Sequence, residues 1–438
     1  MKYKKILLII CLFASSASFG QTTPIKPIAD GNTKFLGSAW SSGQNLNFQN
    51  YWNQVTPENG GKWGSVERTR NVMNWSDMDA SYALAKKYNM LFKAHTLIWG
   101  AQQPSWIAIK SFRMARKYFP KSKLILNEYS VINSSSTTQN YIKIIKLLQA
   151  ENLIDGIGEQ AHAFTTAGTS ATTLKANLDA LAATGLPIYL TEMDIDGATD
   201  LIQLKEMQRV FPVFWKHPSV MGITFWGFRV GLWRNDQKAY LINLNGTERP
   251  AMTWLKAYVN DTLTITKSIA ISTSDGSAAI MSKGASLNMV ANVLPANTTI
   301  PNVTWTVAPT TLASIDANGK LTAVANGKVT VTATAWDGSG IKGSMDINIY
   351  YQTTGLSDKS LTDQITIYPN PADNGNFTIK GIEGIKRIEL INMLGEKVTG
   401  FGSLNQSSIN IQVNVPEGIY ILNLFDGKQF VSKKIVIN

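Results

Sequence analysis

From residue 34 to about residue 259, short apolar runs alternate with segments whose apolar positions recur at helical spacing. The runs are residues 35–41, 53–56, 91–99, 123–130, 156–164, 187–195 and 220–228. Between them, residues 75–88, 108–118, 138–151, 172–184 and 201–215 carry the helical period. That alternation predicts parallel α/β architecture. Seven strands at this rhythm predict a TIM-type (β/α)8 barrel from which one strand is missing. From about residue 263 to residue 350 the helical period vanishes. Alternating strands at 287–293, 303–307 and 328–335, with turns at Asn318-Gly319 and Asn326-Gly327, predict a small β-sandwich. A polar stretch, residues 352–364, leads to a second all-β module at 365–438.

Composition fits that division. A chain of 438 residues has room for about three domains. With 44% apolar and 16% charged residues it is neither disordered nor a coiled coil. Residues 1–20 begin with Lys2, Lys4 and Lys5, continue with an apolar run over 6–13 and end in small residues at Gly20. This is the pattern of a secretory signal peptide, and the run is too short to span a bilayer. The single cysteine, Cys11, lies inside it, so an exported protein without disulfides is expected. No later segment has the length of apolar chain that a stable membrane span needs.

The net charge is +11, of which three lysines belong to the signal, leaving +8. Residues 260–350 balance five lysines against five aspartates, and residues 351–438 balance eight basic against eight acidic groups. The excess therefore lies in residues 21–259, where the basic groups are scattered except over 110–123. That run has the spacing of a solvated helix face, not of a nucleic-acid footprint, and no nucleic-acid partner is expected.

Strand ends are where a barrel keeps its chemistry. Glu192 and Asp194 share a face by the period-2 rule, as do Gln160 and His162 in the strand before. His95 and Trp99 end the third run, Glu58, Asn59 and Lys62 follow the second, and Trp226 and Trp233 belong to the last. Any one of these has an ordinary reading, as a core indole or a structural histidine. Together, carboxylates, imidazoles, amides and indoles at successive strand ends predict a sugar cleft. Ten of the chain's 12 tryptophans fall in this region. No metal or other cofactor is expected.

The motifs themselves are specific. Thr56-Pro57-Glu58-Asn59-Gly60-Gly61-Lys62-Trp63, then His95-Thr96-Leu97-Ile98-Trp99 with Gln102, then Leu126-Asn127-Glu128-Tyr129 follow one another in order. Gly158-Glu159-Gln160-Ala161-His162, Leu190-Thr191-Glu192-Met193-Asp194 and Thr224-Phe225-Trp226-Gly227 with Trp233-Arg234 complete the set. This ordered set over residues 34–259 resembles glycoside hydrolase family 10, the endo-1,4-β-xylanases. The resemblance implies retaining hydrolysis of xylan with Glu192 as nucleophile, tuned by His162 and Asp194. It implies that Glu58, Asn59, Lys62, His95, Trp99, Gln102 and Gln160 bind the sugar, with Tyr129, Trp226 and Trp233 as walls and stacking faces. Gly100 stands where the family usually has a second histidine.

One departure bears on the chemistry. The family's proton donor ends a fourth strand, and this chain runs from Trp106-Ile107 directly into a segment that resembles the helix before the fifth strand. Glu128 and Glu159 each neighbour a presumed cleft residue, so strand alternation turns them away from the cleft. The expected function is a xylanase-like glycoside hydrolase with its usual acid/base segment missing. The alternative is a non-catalytic xylan-binding protein derived from one.

The two β modules have resemblances of their own. Residues 264–350 are similar to bacterial Ig-like domains of the second group, through Val303-Thr304-Trp305, Ala313-Ser314-Ile315 and Asn318-Gly319-Lys320-Leu321-Thr322. Residues 365–438 resemble the C-terminal sorting domain of type IX secretion cargo, through Ile367-Tyr368-Pro369-Asn370-Pro371, Asn392-Met393-Leu394-Gly395 and Gly418-Ile419-Tyr420-Ile421. This second resemblance implies the type IX machinery as a partner and a secreted or cell-surface destination.

Overall fold

The structure, a computed structural model, describes residues 25–97, 105–352, 364–402, 406–427 and 430–438, with backbone only at 105–108. The predicted signal peptide, Trp99 and Gln102 lie outside the described residues. The chain falls into two compact units. One holds the residues up to Ile195 together with Phe211–Tyr240, and the other holds Asp196–Val210 with Leu241–Asn438.

Seven parallel strands form one curled sheet: β1 (Phe35–Trp40), β2 (Gln54–Pro57), β3 (Leu91–Phe92), β4 (Ile125–Glu128), β5 (Gly156–Glu159), β6 (Ile188–Met193) and β7 (Val220–Phe225). Their spatial order is β3-β2-β1-β7-β6-β5-β4, so the first and last strands pair and the two ends of the sheet are β3 and β4. Helices α1 (Trp63–Val66), α2 (Ser76–Tyr88), α3 (Ser105–Tyr118), α4 (Ser135–Ala150), α5 (Ala163–Thr166), α6 (Ala171–Ala182), α7 (Asp200–Trp215) and α8 (Pro250–Val259) follow the strands. Among the described residues this is a (β/α) barrel sheet of seven parallel strands. Among the described residues no pairing joins β3 to β4.

The strands near β1 are buried on both faces because helices cover them, which is why they read as nearly continuous apolar runs. Leu36, Val55, Ile157, Leu190 and Ile223 are wholly buried, as are Leu174, Leu178 and Leu181 on one face of α6. Trp52 is sealed in this core against Phe225 and Phe228, with ring centroids 5.6 and 5.3 Å away. At the unpaired edges the packing thins. Leu91 is 56% exposed, and residues 109–118 of α3 include none that is fully buried.

Two differences from the sequence reading lie at these edges. The apolar run over 91–99 predicts a long strand, yet among the described residues the strand itself is Leu91 and Phe92, paired with Gln54 and Val55, with one further bond from the Lys93 N–H to the Val55 carbonyl. A strand held on one side has half the ladder bonds to keep it extended. Helix α3 also begins at Ser105, earlier than the period suggested.

In the second unit, Ala313–Ile315, Lys320–Ala323, Ser286–Leu294 and Ser268–Thr273 make one four-stranded sheet. Val303–Ala308, Gly327–Ala335, Lys342–Ile349 and Ala279–Ile280 make the other. Their inner faces enclose Leu287, Leu321, Val329, Val331 and Ile347. The predicted turn at Asn318-Gly319 is present. Gly319 has φ +83° and lies against the Trp305 indole, so a side chain there would be strained twice over. The last module has a three-stranded and a four-stranded sheet around Phe377, Ile379, Leu390, Leu422, Leu424 and Ile435.

Candidate active site

The C-terminal ends of the strands bring most of the predicted residues together. Strand β6 delivers Glu192, with 5% exposure, and Asp194 follows just past its end with 2%. His162 caps α5 and stands between them. Its Nδ1 is 2.6 Å from Asp194 Oδ2, and its Nε2 is 3.4 Å from Glu192 Oε2. Asp194 also accepts the Ala163 amide at 2.6 Å and the Trp233 indole N–H at 2.8 Å, and Arg234 Nε lies 3.7 Å away. Asp194 is therefore a hub that orients the imidazole and pins the loop after β7.

These contacts set the charges. Burial works against a protonated His162, but the hydrogen bonds and charges of Asp194 and Glu192 outweigh it and raise its pKa to about 9. Burial likewise pushes the Glu192 carboxyl up. The His162 hydrogen bond and the positive charges of Lys93 and His162 prevail, holding it below the usual carboxylate range. At neutral pH His162 is an imidazolium and Glu192 is ionised.

Across the cleft, His95 lies three residues beyond β3 and is buried edge-on against Trp226, with ring centroids 4.9 Å apart. Desolvation lowers its pKa to about 4, so it is a neutral imidazole able to donate and accept. Glu58 follows β2, where the backbone N–H donates to the Trp40 carbonyl at 3.0 Å. Its carboxyl is half-buried and raised by that burial, against the pull of Lys62 and Asn59. Lys62 Nζ donates to Asn59 Oδ1 at 2.8 Å, so the three form one polar group. Gln160, just past β5, is held between β4 and β6 through its backbone, donating to Glu128 O and accepting from the Glu192 amide, both at 3.0 Å.

Trp233, 45% exposed, stands beside the His162 ring at 5.3 Å, and Tyr129, 48% exposed, meets Phe164 edge-on at 6.2 Å. Trp226 is 5% exposed, so what it offers the cleft is its contact with His95, not an open stacking face. Glu159 is fully buried and Glu128 is exposed on the outer side of the sheet. Their neighbours Asn127 and Gln160 alternate with them along the strands.

Several residues of the site escape the sequence reading. Asn127 Nδ2 donates to Glu192 Oε1 at 2.8 Å, and its Oδ1 accepts the Thr191 hydroxyl. Lys93 Nζ donates to the Thr191 carbonyl at 2.7 Å. Asn127 could have been found by applying to β4 the alternation used on β6. Lys93 precedes His95 by two residues, and a lysine inside an apolar run was the available signal. Among the described residues no cluster of His, Cys, Asp and Glu could hold a metal ion, and no helix is long and apolar enough to cross a membrane.

A parallel barrel whose strand ends converge on buried carboxylates, a charged imidazole and indoles belongs to the glycoside hydrolase class of (β/α) barrels. The chain is a member of Glycosyl hydrolase family 10, whose profile matches residues 28–111 and 108–258, more than half of its length. Residues 265–343 match the bacterial Ig-like domain (group 2), and residues 366–438 match the secretion system C-terminal sorting domain.

Among its relatives, endo-1,4-beta-xylanase B of Cellvibrio japonicus (strain Ueda107) is 38% identical over 279 residues. That match covers 51% of this chain and 45% of the relative, so the chain spans less than half of that protein. Endo-1,4-beta-xylanase B of Thermotoga neapolitana is 24% identical over 325 residues, covering 56% of this chain and 94% of the relative. Among solved structures, xylanase 10B from Thermotoga petrophila RKU-1, in complex with xylobiose, aligns with a TM-score of 0.48 and 22% identity. It covers 55% of this chain and 98% of the other.

Proposed function

We propose that this chain is an exported, xylan-directed glycoside hydrolase that uses Glu192 as nucleophile and lacks a general acid in the usual place. The Glu192 carboxylate attacks the anomeric carbon as the bond to the leaving oxygen breaks, forming a glycosyl ester. Water then displaces the ester and retains the configuration. His162 and Asp194 hold the nucleophile's geometry and charge. Glu58, Asn59, Lys62, His95, Trp99, Gln102 and Gln160 grip the sugar, with Tyr129, Trp226 and Trp233 as walls. The observation that carries this reading is Glu192 itself: buried, ionised, and held between the Asn127 amide and the His162 imidazolium.

Two observations support the missing donor. Among the described residues the sheet ends at β3 and β4, the strands that would flank a fourth strand. The family profile is matched in two pieces that meet at residues 108–111, where this chain runs straight from one to the other. Without a donor, a sugar leaving group must depart as an alkoxide, which slows xylan cleavage by about 10²–10⁴-fold. Aryl xylosides need no protonation and escape that penalty.

The test compares xylan with 2,4-dinitrophenyl β-xylobioside for the wild type and Glu192→Gln. The reading expects rapid aryl release with a covalent Glu192 adduct seen by mass spectrometry, slow xylan cleavage, and loss of both in the variant. Equal rates in the two proteins would remove Glu192 from the mechanism. Xylan affinity without adduct or turnover would favour a binding protein. Export rests on the sorting-domain match at residues 366–438. Deleting residues 365–438 should leave the protein in the periplasm, and normal secretion of the truncated chain would contradict this.

A further inference from the structure

Lys93 directly follows β3, where its backbone N–H donates to the Val55 carbonyl at 3.0 Å and continues the β2 pairing. The residue as a whole is half-buried, while the ammonium end is desolvated inside the cleft. Nζ donates to the Thr191 carbonyl at 2.7 Å and lies 5.8 Å from the centre of the Trp226 ring. From the opposite end of the sheet, Asn127 of β4 reaches the same stretch, accepting from the Thr191 hydroxyl and donating to Glu192 Oε1. The two strands that fail to pair are thus tied by side chains to one point, the Thr191-Glu192 step of β6.

We propose that Lys93 is a positioning residue for the Glu192 nucleophile: anchored on the Thr191 carbonyl and against the Trp226 indole, its ammonium supplies through space a positive charge that keeps Glu192 ionised. This inference rests on the reading of Glu192 as nucleophile. A lysine in so dry a place is costly unless its charge is used. Desolvation lowers its pKa to about 8, and the Glu192 carboxylate is the charge that pulls it back up. The other titratable groups around the pair are His95 on the same segment, His162 after β5, Asp194 after β6, and Lys62 and Glu58 after β2. None of these bonds to the carbonyl preceding Glu192, which is the contact particular to Lys93.

Coupling between two charges is reciprocal, so each must shift the other's titration equally. The test labels the protein with [ε-13C]lysine and follows the Lys93 resonance, assigned with Lys93→Arg, through a pH titration of wild type and Glu192→Gln. Lys93 is expected to titrate about one pH unit lower in the variant, the size of shift a single desolvated charge produces at cleft distances. An unchanged Lys93 titration would overturn the proposal.

A second arm follows the pH dependence of covalent labelling by a 2-deoxy-2-fluoroxylobioside with a dinitrophenolate leaving group. Lys93→Met should move the acid limb up by about one pH unit, and Lys93→Arg should leave it in place. A lysine with a merely structural role would lower the melting temperature of Lys93→Met without moving the limb, and that result also counts against the proposal. If Lys93→Met does not fold, the titration decides. Absence of any label on Glu192 would fail the nucleophile reading, while the titration would still report the coupling.

Discussion

Replacing Glu159 by glutamine isolates the energetics of one buried carboxyl. Glu159 ends β5 with no solvent exposure, and its Oε1 accepts the Ala161 amide at 3.2 Å. Burial pushes its pKa from the ordinary 4.5 up to about 8, against the pull of the Ala161 and Val131 amides and of His162. Between those two values the folded protein holds a proton that the unfolded chain has released. Stability from this site is therefore complete below about pH 4.5 and is lost as pH rises through about 8. The loss is about 1.4 kcal/mol per pH unit, or about 5 kcal/mol over the window.

Glutamine has the shape of the protonated acid and does not titrate. Glu159→Gln should match the wild type near pH 4.5 and exceed it by about 5 kcal/mol at pH 9. Lys93 titrates in an overlapping window in both proteins and its effect drops out of the difference, whereas His162 is coupled to Glu159, so the difference reports Glu159 together with that coupling. The assay is urea unfolding at several pH values, read by tryptophan fluorescence, which reports the barrel because ten of the 12 tryptophans are in residues 34–259. A difference between the two proteins that does not change with pH would refute the reasoning.

Further predictions concern the cleft and the core. Asp194→Ala leaves the His162 charge and the Trp233 and Ala163 donors without their common acceptor. It should lower stability by about 3–5 kcal/mol in denaturant titrations and bring the His162 pKa down from about 9, measurable by NMR. Gly61→Ala would place a Cβ 2.2 Å from the His95 carbonyl oxygen. The resulting shift should cost about 1–3 kcal/mol and, on the proposed function, raise the KM for aryl xylobioside. Trp52→Ala empties a fully buried site against Phe225 and Phe228, and a loss of about 3–5 kcal/mol is expected from urea midpoints.

Much of the site was legible because its residues sit at strand ends in a fixed order. The period-2 rule that paired Glu192 with Asp194 carried an observable consequence, and His162 does reach both carboxylates. Alternation also turned Glu128 and Glu159 outward, though it said nothing of how dry Glu159's surroundings are. The shared contact on Thr191 was not legible. Lys93 and Asn127 lie far apart in sequence and meet only because β3 and β4 curl toward β6 from opposite ends of the sheet.

By itself the sequence determined the order of the three modules and the barrel rhythm, because apolar periodicity and turn residues are local properties of the chain. The tertiary structure decided the length of β3 and the charge on the two cleft histidines, His95 and His162. A strand extends only as far as a neighbour offers backbone to pair with, and β3 has β2 alone. A pKa depends on burial and on charges brought close by folding, which is why His95 falls to about 4 while His162 rises to about 9 in the same cleft.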